Sequence, residues 1–364
     1  MVKEGTIISG YRVDGVLAAG NMAEVYEATQ LSLNRVVALK LLAPNLSDDP
    51  AFRARFKREG QVQAGLDHDH IVTVYEAGQS EYGLFLAMQL IAGPTLKQLI
   101  TDHTLDPRRT VRLLSQVARA LDAAHQSGLI HRDIKPQNIL IGPGDHAYLA
   151  DFGLIKTRDE ARLTGTGQFI GTIDYVAPEQ IQGEPVTPAC DHYALAAVLY
   201  ECLTSEVPFP TPSEAATLHA HVIAPPPRVS ERRADLPSAL DTVIARGMAK
   251  DPRARPALAA ELIQSAARAL STSASKRSGA SPSVREDDSP EGGAVRHPAG
   301  GRLAPHADSP TAPSRLLQTD PPAQVASPAA RTPGGRRRAR GVVLVAALML
   351  VAFVAGLVIG LLLH

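Results

Sequence analysis

Apolar and polar positions alternate over Tyr11–Val16 and again over Glu24–Ala28, on either side of a glycine turn, and this period of two predicts a pair of strands. Arg35-Val-Val-Ala-Leu-Lys-Leu41, bounded by Asn34 and Pro44, predicts a third; Ile71–Tyr75 and Leu84–Met88 add two more. Between them, Ser47-Asp-Asp-Pro50 opens a helix expected to run to Leu66. On it Phe52, Phe56 and Glu59 fall on one face, and a carboxylate on an apolar face needs a partner. After Gly93 the period lengthens. Val111, Leu114, Val117/Ala118, Leu121 and Ala124/His125 repeat every three or four residues, and Ala189–Leu203, Leu236–Met248 and Pro256–Leu270 are further helices. A strand-rich first part and a helical second part predict two lobes with a cleft between them, an α+β architecture.

The pattern changes at Ser271. Through Gly335 the chain is Ser, Pro, Ala and Gly, and such a stretch buries too little apolar surface to offset its ordering entropy, so a disordered tether is expected. About 65 residues of that kind reach roughly 45 Å. Arg336–Arg340 follows, then Gly341–Leu363 without a charged or amide residue. As a helix this run is roughly 35 Å long, enough for a hydrocarbon core of about 30 Å. The basic flank puts its N-terminal side in the cytoplasm. Gly356 and Gly360 are spaced for close helix pairing, and no signal-peptide pattern opens the chain. The expected organisation is residues 1–10 as an extension, 11–270 as the globular domain, 271–340 as the juxtamembrane linker and 341–363 as a transmembrane helix.

Composition narrows the chemistry. The 37 basic and 37 acidic residues cancel, so no global field points to nucleic acid. Cys190 and Cys202 share no metal or redox spacing and are expected as buried thiols. Asp67-His-Asp-His70 has potential ligands, but reads better as the turn after the first helix.

The decisive stretch is His131-Arg-Asp-Ile-Lys-Pro-Gln-Asn138, a polar cluster between apolar runs with no packing rationale. Asp151-Phe-Gly153 follows, then Ala177-Pro-Glu179, with Val37-Ala-Leu-Lys40 upstream. In this order the motifs resemble those of Hanks-type serine/threonine protein kinases, most closely the membrane-anchored bacterial kind. The resemblance covers about Tyr11–Leu270.

It implies a two-lobed kinase fold, ATP with Mg²⁺ (Mn²⁺ as the alternative), and protein substrates, including the chain's own activation loop. Asp133 takes the role of base for the substrate hydroxyl. Lys135 neutralises the transferring phosphate and marks serine/threonine specificity. Lys40 holds the α- and β-phosphates, anchored by Glu59. Asn138 and Asp151 are the metal ligands. The nucleotide-facing set implied is Leu17, Gly20, Val25, Ala38, Lys40, Glu59, Met88, Asn138 and Asp151, with Met88 as gatekeeper and Gln89–Ile91 as hinge. Thr164 and Thr166 are the implied phosphorylation sites, with Arg132 as cationic partner, and Thr172 faces the substrate. Glu179 with Arg255, and Asp191 beneath the catalytic loop, take structural roles. Confinement to a membrane layer favours self-association for trans-autophosphorylation.

One position departs from the pattern. Gly20 keeps a glycine of the phosphate loop, whereas Ala18 and Ala23 replace the other two. Alanine disfavours φ > 0, so a stiffer turn and weaker nucleotide handling are expected from Ala18. A catalytically silent membrane scaffold and a small-molecule kinase are the competing readings.

Overall fold

The computed structural model describes residues 1–20, 23–44, 48–152 and 173–278, with side chains through Thr272. They lie in one unit, Met1–Glu286; the second, Asp287–His364, lies outside the described residues, as do residues 341–363 expected to span a membrane. Among the described residues, no helix is long and apolar enough to cross a membrane.

The first lobe is a six-stranded antiparallel sheet of β1 (Ile7–Ile8), β2 (Tyr11–Ala19), β3 (Ala23–Gln30), β4 (Arg35–Leu42), β5 (Val74–Ser80) and β6 (Gly83–Met88), in the order β1-β2-β3-β4-β6-β5. Cross-strand partners share a face. Val25 lies opposite Lys40, and Ala38 opposite Met88, so these four project from the same side of the sheet. The other side packs Tyr11, Tyr26, Val37, Leu39 and Phe85 into a separate small core. Helix α1 (Pro50–Ala64) covers the first side with Phe52 and Phe56. Asp49 caps it by accepting the Ala51 N–H, and Pro50 occupies the first turn, where a missing N–H does no harm. Gly60 lets α1 press on β5, because a Cβ there would lie 2.6 Å from the Ala77 Cβ. The expected strand at Ile71–Tyr75 begins only at Val74; Ile71 instead makes an isolated bridge to Leu149.

The second lobe contains α2 (Leu96–Thr101), α3 (Pro107–Gln126), the hairpin β7 (Ile139–Gly142) and β8 (His146–Leu149), α4 (Pro178–Gln182), α5 (Ala189–Thr204), α6 (Glu214–Ile223), α7 (Val229–Arg232), α8 (Ala239–Gly247) and α9 (Ala259–Ser278). The apolar stripe of α3, from Val111 to Ala124, faces the core. In α5 every residue from Cys190 to Leu203 is buried, as expected for a helix apolar on all sides. Both thiols are free, and burial pushes them up. The polar residues on α5 (Asp191, His192, Glu201) are therefore buried too. Helix α9 runs past the expected boundary at Leu270 to Ser278. Its last residues contain neither the glycine nor the proline that begin at Gly279 and Pro282.

Candidate active site

The second-lobe half of the site is built on a hairpin. Ile139 pairs with Leu149, so Asn138 and Ala150, just outside that pair, are neighbours, and the Ala150 N–H donates to the Asn138 carbonyl at 2.9 Å. Thirteen residues of sequence thus collapse, and Asp151 follows next to Asn138. The Asn138 Nδ2 donates to the Asp133 carbonyl at 2.8 Å and to Asp133 Oδ2 at 3.2 Å. With both donors so directed, its Oδ1 is presented as a hard oxygen. Lys135 Nζ lies 2.9 Å from Asp133 Oδ2. One carboxylate, one ammonium and one amide thus converge within a single loop.

That loop is held from below. Asp191 Oδ2 accepts the His131 N–H, and Oδ1 the Arg132 N–H, each at 2.8 Å. His125 Nε2 lies 2.8 Å from Asp191 Oδ2. Burial alone would push the Asp191 carboxyl up, but the hydrogen bond from His125 and the contacts with His131 outweigh it and hold the group below its usual range. His131 is fully enclosed, packs its ring at a tilt against Phe152 with centroids 4.6 Å apart, and bonds the Ala150 carbonyl; burial pushes its pKa down. Arg132 and Asp151 adopt φ of 64° and 59°, a left-handed backbone uncommon for residues with a Cβ. Glu179 and Arg255, 2% and 0% exposed, form the expected bidentate pair at 2.6 and 2.8 Å.

The first-lobe half presents Lys40, Ala38, Val25 and Met88 from one sheet face, with Ala38 and Met88 buried and Val25 half-buried. Ala150 and Leu140 of the second lobe pack into the same apolar cluster. Leu140 was not among the expected residues; its position two residues after Asn138, in a strand flanking the cleft, was the available signal. Gln89 donates its backbone N–H to the Thr73 carbonyl at 2.9 Å. Gly93, just past the hinge, is packed so tightly that a Cβ would meet the Ile141 carbonyl oxygen at 1.9 Å. Leu17 is exposed at the sheet edge, and the Gly20 N–H donates to the Ala23 carbonyl at 3.0 Å, closing the turn.

Two expectations need correction. Lys40 pairs with Asp151 at 2.7 Å, and among the described residues no ion pair joins it to Glu59. Glu59 instead lies under the influence of Arg132, Arg55 and Arg58. Burial pushes its carboxyl up, and the three guanidiniums pull against that. It lines a cavity of about 300 Å³ with Arg58, Arg132 and Phe152. The reason is competition: three guanidiniums act on Glu59, while Asp151, at a left-handed backbone turn, meets Lys40. The second correction concerns Ala18. It lies opposite Val25 beside an irregularity in β2 and is not among the residues with positive φ, so its Cβ causes no backbone strain. Asp67–His70 is a turn, as expected: His70 bonds the Ala147 carbonyl and approaches Arg119. Thr164, Thr166, Thr172 and Gly153 lie outside the described residues.

Comparison with known families decides the class. The family model described as "Protein kinase domain" matches residues 11–266. This chain belongs to that family. The kinase domain is similar to the serine/threonine-protein kinase PknD of Mycobacterium tuberculosis, 43% identical over 271 residues, covering 74% of this chain and 41% of that protein. It is also similar to the serine/threonine-protein kinases PknJ of Mycobacterium bovis (43% over 272 residues; 73% and 46% covered) and PknH of Mycobacterium tuberculosis (41% over 268 residues; 73% and 43%). The chain spans less than half the length of these curated relatives. Among solved structures, the Mycobacterium tuberculosis PknI kinase domain superposes with a TM-score of 0.61 at 31% identity, covering 74% of this chain and 99% of that one. The two lobes are those of the protein kinase fold, whose members use ATP and a divalent metal.

Proposed function

We propose that this chain is a serine/threonine protein kinase that transfers the γ-phosphoryl group of ATP to protein hydroxyls, its own activation segment included. The observation that carries the reading is the convergence of Asp133, Lys135 and Asn138 in one hydrogen-bonded loop beside the Lys40–Asp151 pair. Phosphoryl transfer needs in-line positioning and stabilisation of spread negative charge more than covalent chemistry. Asp133 orients and accepts the proton of the incoming hydroxyl. Lys135, bonded to that carboxylate, lies where charge moves onto the transferring group. Lys40 projects toward the phosphates from β4, beside the apolar patch of Val25, Ala38, Met88 and Leu140 on which an adenine ring packs.

The donor set fits Mg²⁺. An amide oxygen from Asn138 and a carboxylate from Asp151 are hard oxygen ligands, few enough to leave the other positions to water and phosphate. When bound, the ion neutralises the β- and γ-phosphate oxygens. Arg132 is suited to a phosphorylated Thr164 or Thr166: its Nε is buried without a hydrogen-bond partner among the described residues. The run from Gly341 to Leu363, with the arginines before it, supports a single membrane span with the kinase domain on the cytoplasmic side, where lateral confinement promotes trans-phosphorylation.

The Lys40–Asp151 contact favours a second reading, a nucleotide-binding scaffold without turnover. One experiment separates them: incubation of the full chain with labelled ATP and Mg²⁺ beside Asp133→Asn. Label on Thr164 or Thr166 in the first and none in the second supports the kinase; nucleotide binding without transfer in both supports the scaffold.

A further inference from the structure

We propose that Asp122, His125 and His192 form a binding site for a divalent first-row transition metal, zinc foremost, beneath the catalytic loop. The three residues come from α3 and α5, and one ligand atom from each lies within 4.8 Å of the others. Asp122 and His125 are three apart on α3, hence on one face, and that face meets α5 at His192.

Hydrogen bonding fixes which atoms converge. His192 is 2% exposed, and its Nδ1 lies 3.0 Å from the Pro256 carbonyl. A carbonyl only accepts, so Nδ1 carries the proton and Nε2 is left with a bare lone pair. That Nε2 is buried with no hydrogen-bond partner among the described residues. His125 directs Nε2 at the Asp191 carboxylate, which likewise only accepts, so its lone pair is on Nδ1. Asp122 accepts the Ala259 N–H at 2.8 Å on one oxygen and the Ala260 N–H at 3.0 Å on the other, and lone pairs remain on both. Two imidazole nitrogens and a carboxylate thus meet as acceptors, and among the described residues no donor reaches the buried His192 Nε2 at their centre. A cation resolves that conflict.

Two histidines and a carboxylate, with a fourth position for water, suit zinc and its first-row neighbours. The supporting bonds are those a metal site uses: Asp191 holds the outer nitrogen of His125, the Pro256 carbonyl that of His192, and two backbone N–H groups hold Asp122. Asp122 and His125 are partly exposed, which gives a route in. On the kinase reading the site also has a consequence, since Asp191 joins His125 to the His131 and Arg132 backbone; a bound metal stiffens the floor under Asp133.

The test uses the full chain, freed of metal by chelation and titrated with Co²⁺, then Zn²⁺. The expected result is one equivalent of Co²⁺ with the visible absorption of a low-coordinate nitrogen–oxygen site, bleached by Zn²⁺, and a higher melting temperature with metal. His192→Val loses the absorption and weakens binding at least about ten-fold; His68→Ala, in the other histidine-rich turn, keeps both. Zinc-edge X-ray absorption of the unaltered chain counts two imidazoles, so the outcome does not depend on any variant folding. Absence of saturable binding, binding unchanged in His192→Val, or a zinc spectrum without imidazole scattering overturns the proposal. None of these readouts needs phosphoryl transfer, so failure of the metal site and failure of the kinase reading are separate results.

Discussion

Two acid–base pairs lie above and below the catalytic loop. In the cleft, Lys40 and Asp151 are 14% and 34% exposed, joined by one 2.7 Å contact, with Glu59 nearby among three arginines. Below the loop, Glu179 and Arg255 are 2% and 0% exposed and joined by two parallel bonds, with further Arg255 donors spent on the Ala189, Ala249 and Lys250 carbonyls. The upper charges have alternatives and water; the lower ones have neither. On the kinase reading, groups that exchange partners as nucleotide and metal come and go are kept partly exposed, whereas groups that hold the frame are sealed. A buried pair gives little net stability over an apolar one, but breaking it leaves a stranded charge.

The largest effect that separates the two regions is on rate. Asp133→Asn should lower phosphoryl transfer by roughly 10²–10⁴-fold while leaving cooperative unfolding in place, checked by transfer kinetics beside a thermal melt. Below the loop the loss should be of stability. Arg255→Met leaves the Glu179 carboxylate uncompensated and should cost about 3–5 kcal/mol by denaturant titration, much of it recovered in the double variant Glu179→Leu/Arg255→Met.

Acid should attack the lower region selectively. His221 is buried against Tyr193 and Lys250, and its pKa falls from the ordinary 6.5 to about 4, chiefly through burial and then through the Lys250 charge. Between those values the unfolded chain binds the proton and the folded chain does not. Stability is therefore full above pH 6.5 and drains as pH falls toward 4, by up to about 3 kcal/mol. Melts across that range should show the slope, and His221→Phe should reduce it, the rest coming from the other buried histidines such as His131. In the cleft the counterpart is small. Asp151→Asn should shift stability by about 1 kcal/mol or less and release Lys40 to Glu59, visible in a crystal structure of the variant. Smallest of all, Ala18→Gly should change stability by under about 0.5 kcal/mol, since the exposed Ala18 is free of left-handed strain.

Legibility followed the range of the interactions. The polar run from His131 to Asn138 and the apolar stripe of α3 are local patterns, so the catalytic loop and its supporting helix could be read directly. The Glu179–Arg255 pair spans 76 residues and was legible only through family resemblance. What sequence did not convey was choice among rivals. Lys40 has two carboxylates within the motif set, and selecting Asp151 over Glu59 depends on backbone angles and on arginines, two from the helix of Glu59 and one, Arg132, from a distant loop. The cluster of buried Glu201 and Tyr175 with the partly exposed Lys97, with contacts of 2.6 Å, was missed for a similar reason: Glu201 sits in an apolar helix, and its partners arrive from α2 and from the chain before α4. The short helices α2, α4 and α7 are too brief to establish a period.

The left-handed turn at Asp151 also limits what this molecule can become. Asparagine and glycine accept such a backbone readily, whereas valine or isoleucine would strain it. On the kinase reading, descendants that exchange position 151 for either of the first two lose the proposed metal ligand yet keep the backbone turn. Those drifting toward branched residues strain the turn as well. The road from working enzyme to silent adaptor is thus a single step, and geometry decides which letters may take it.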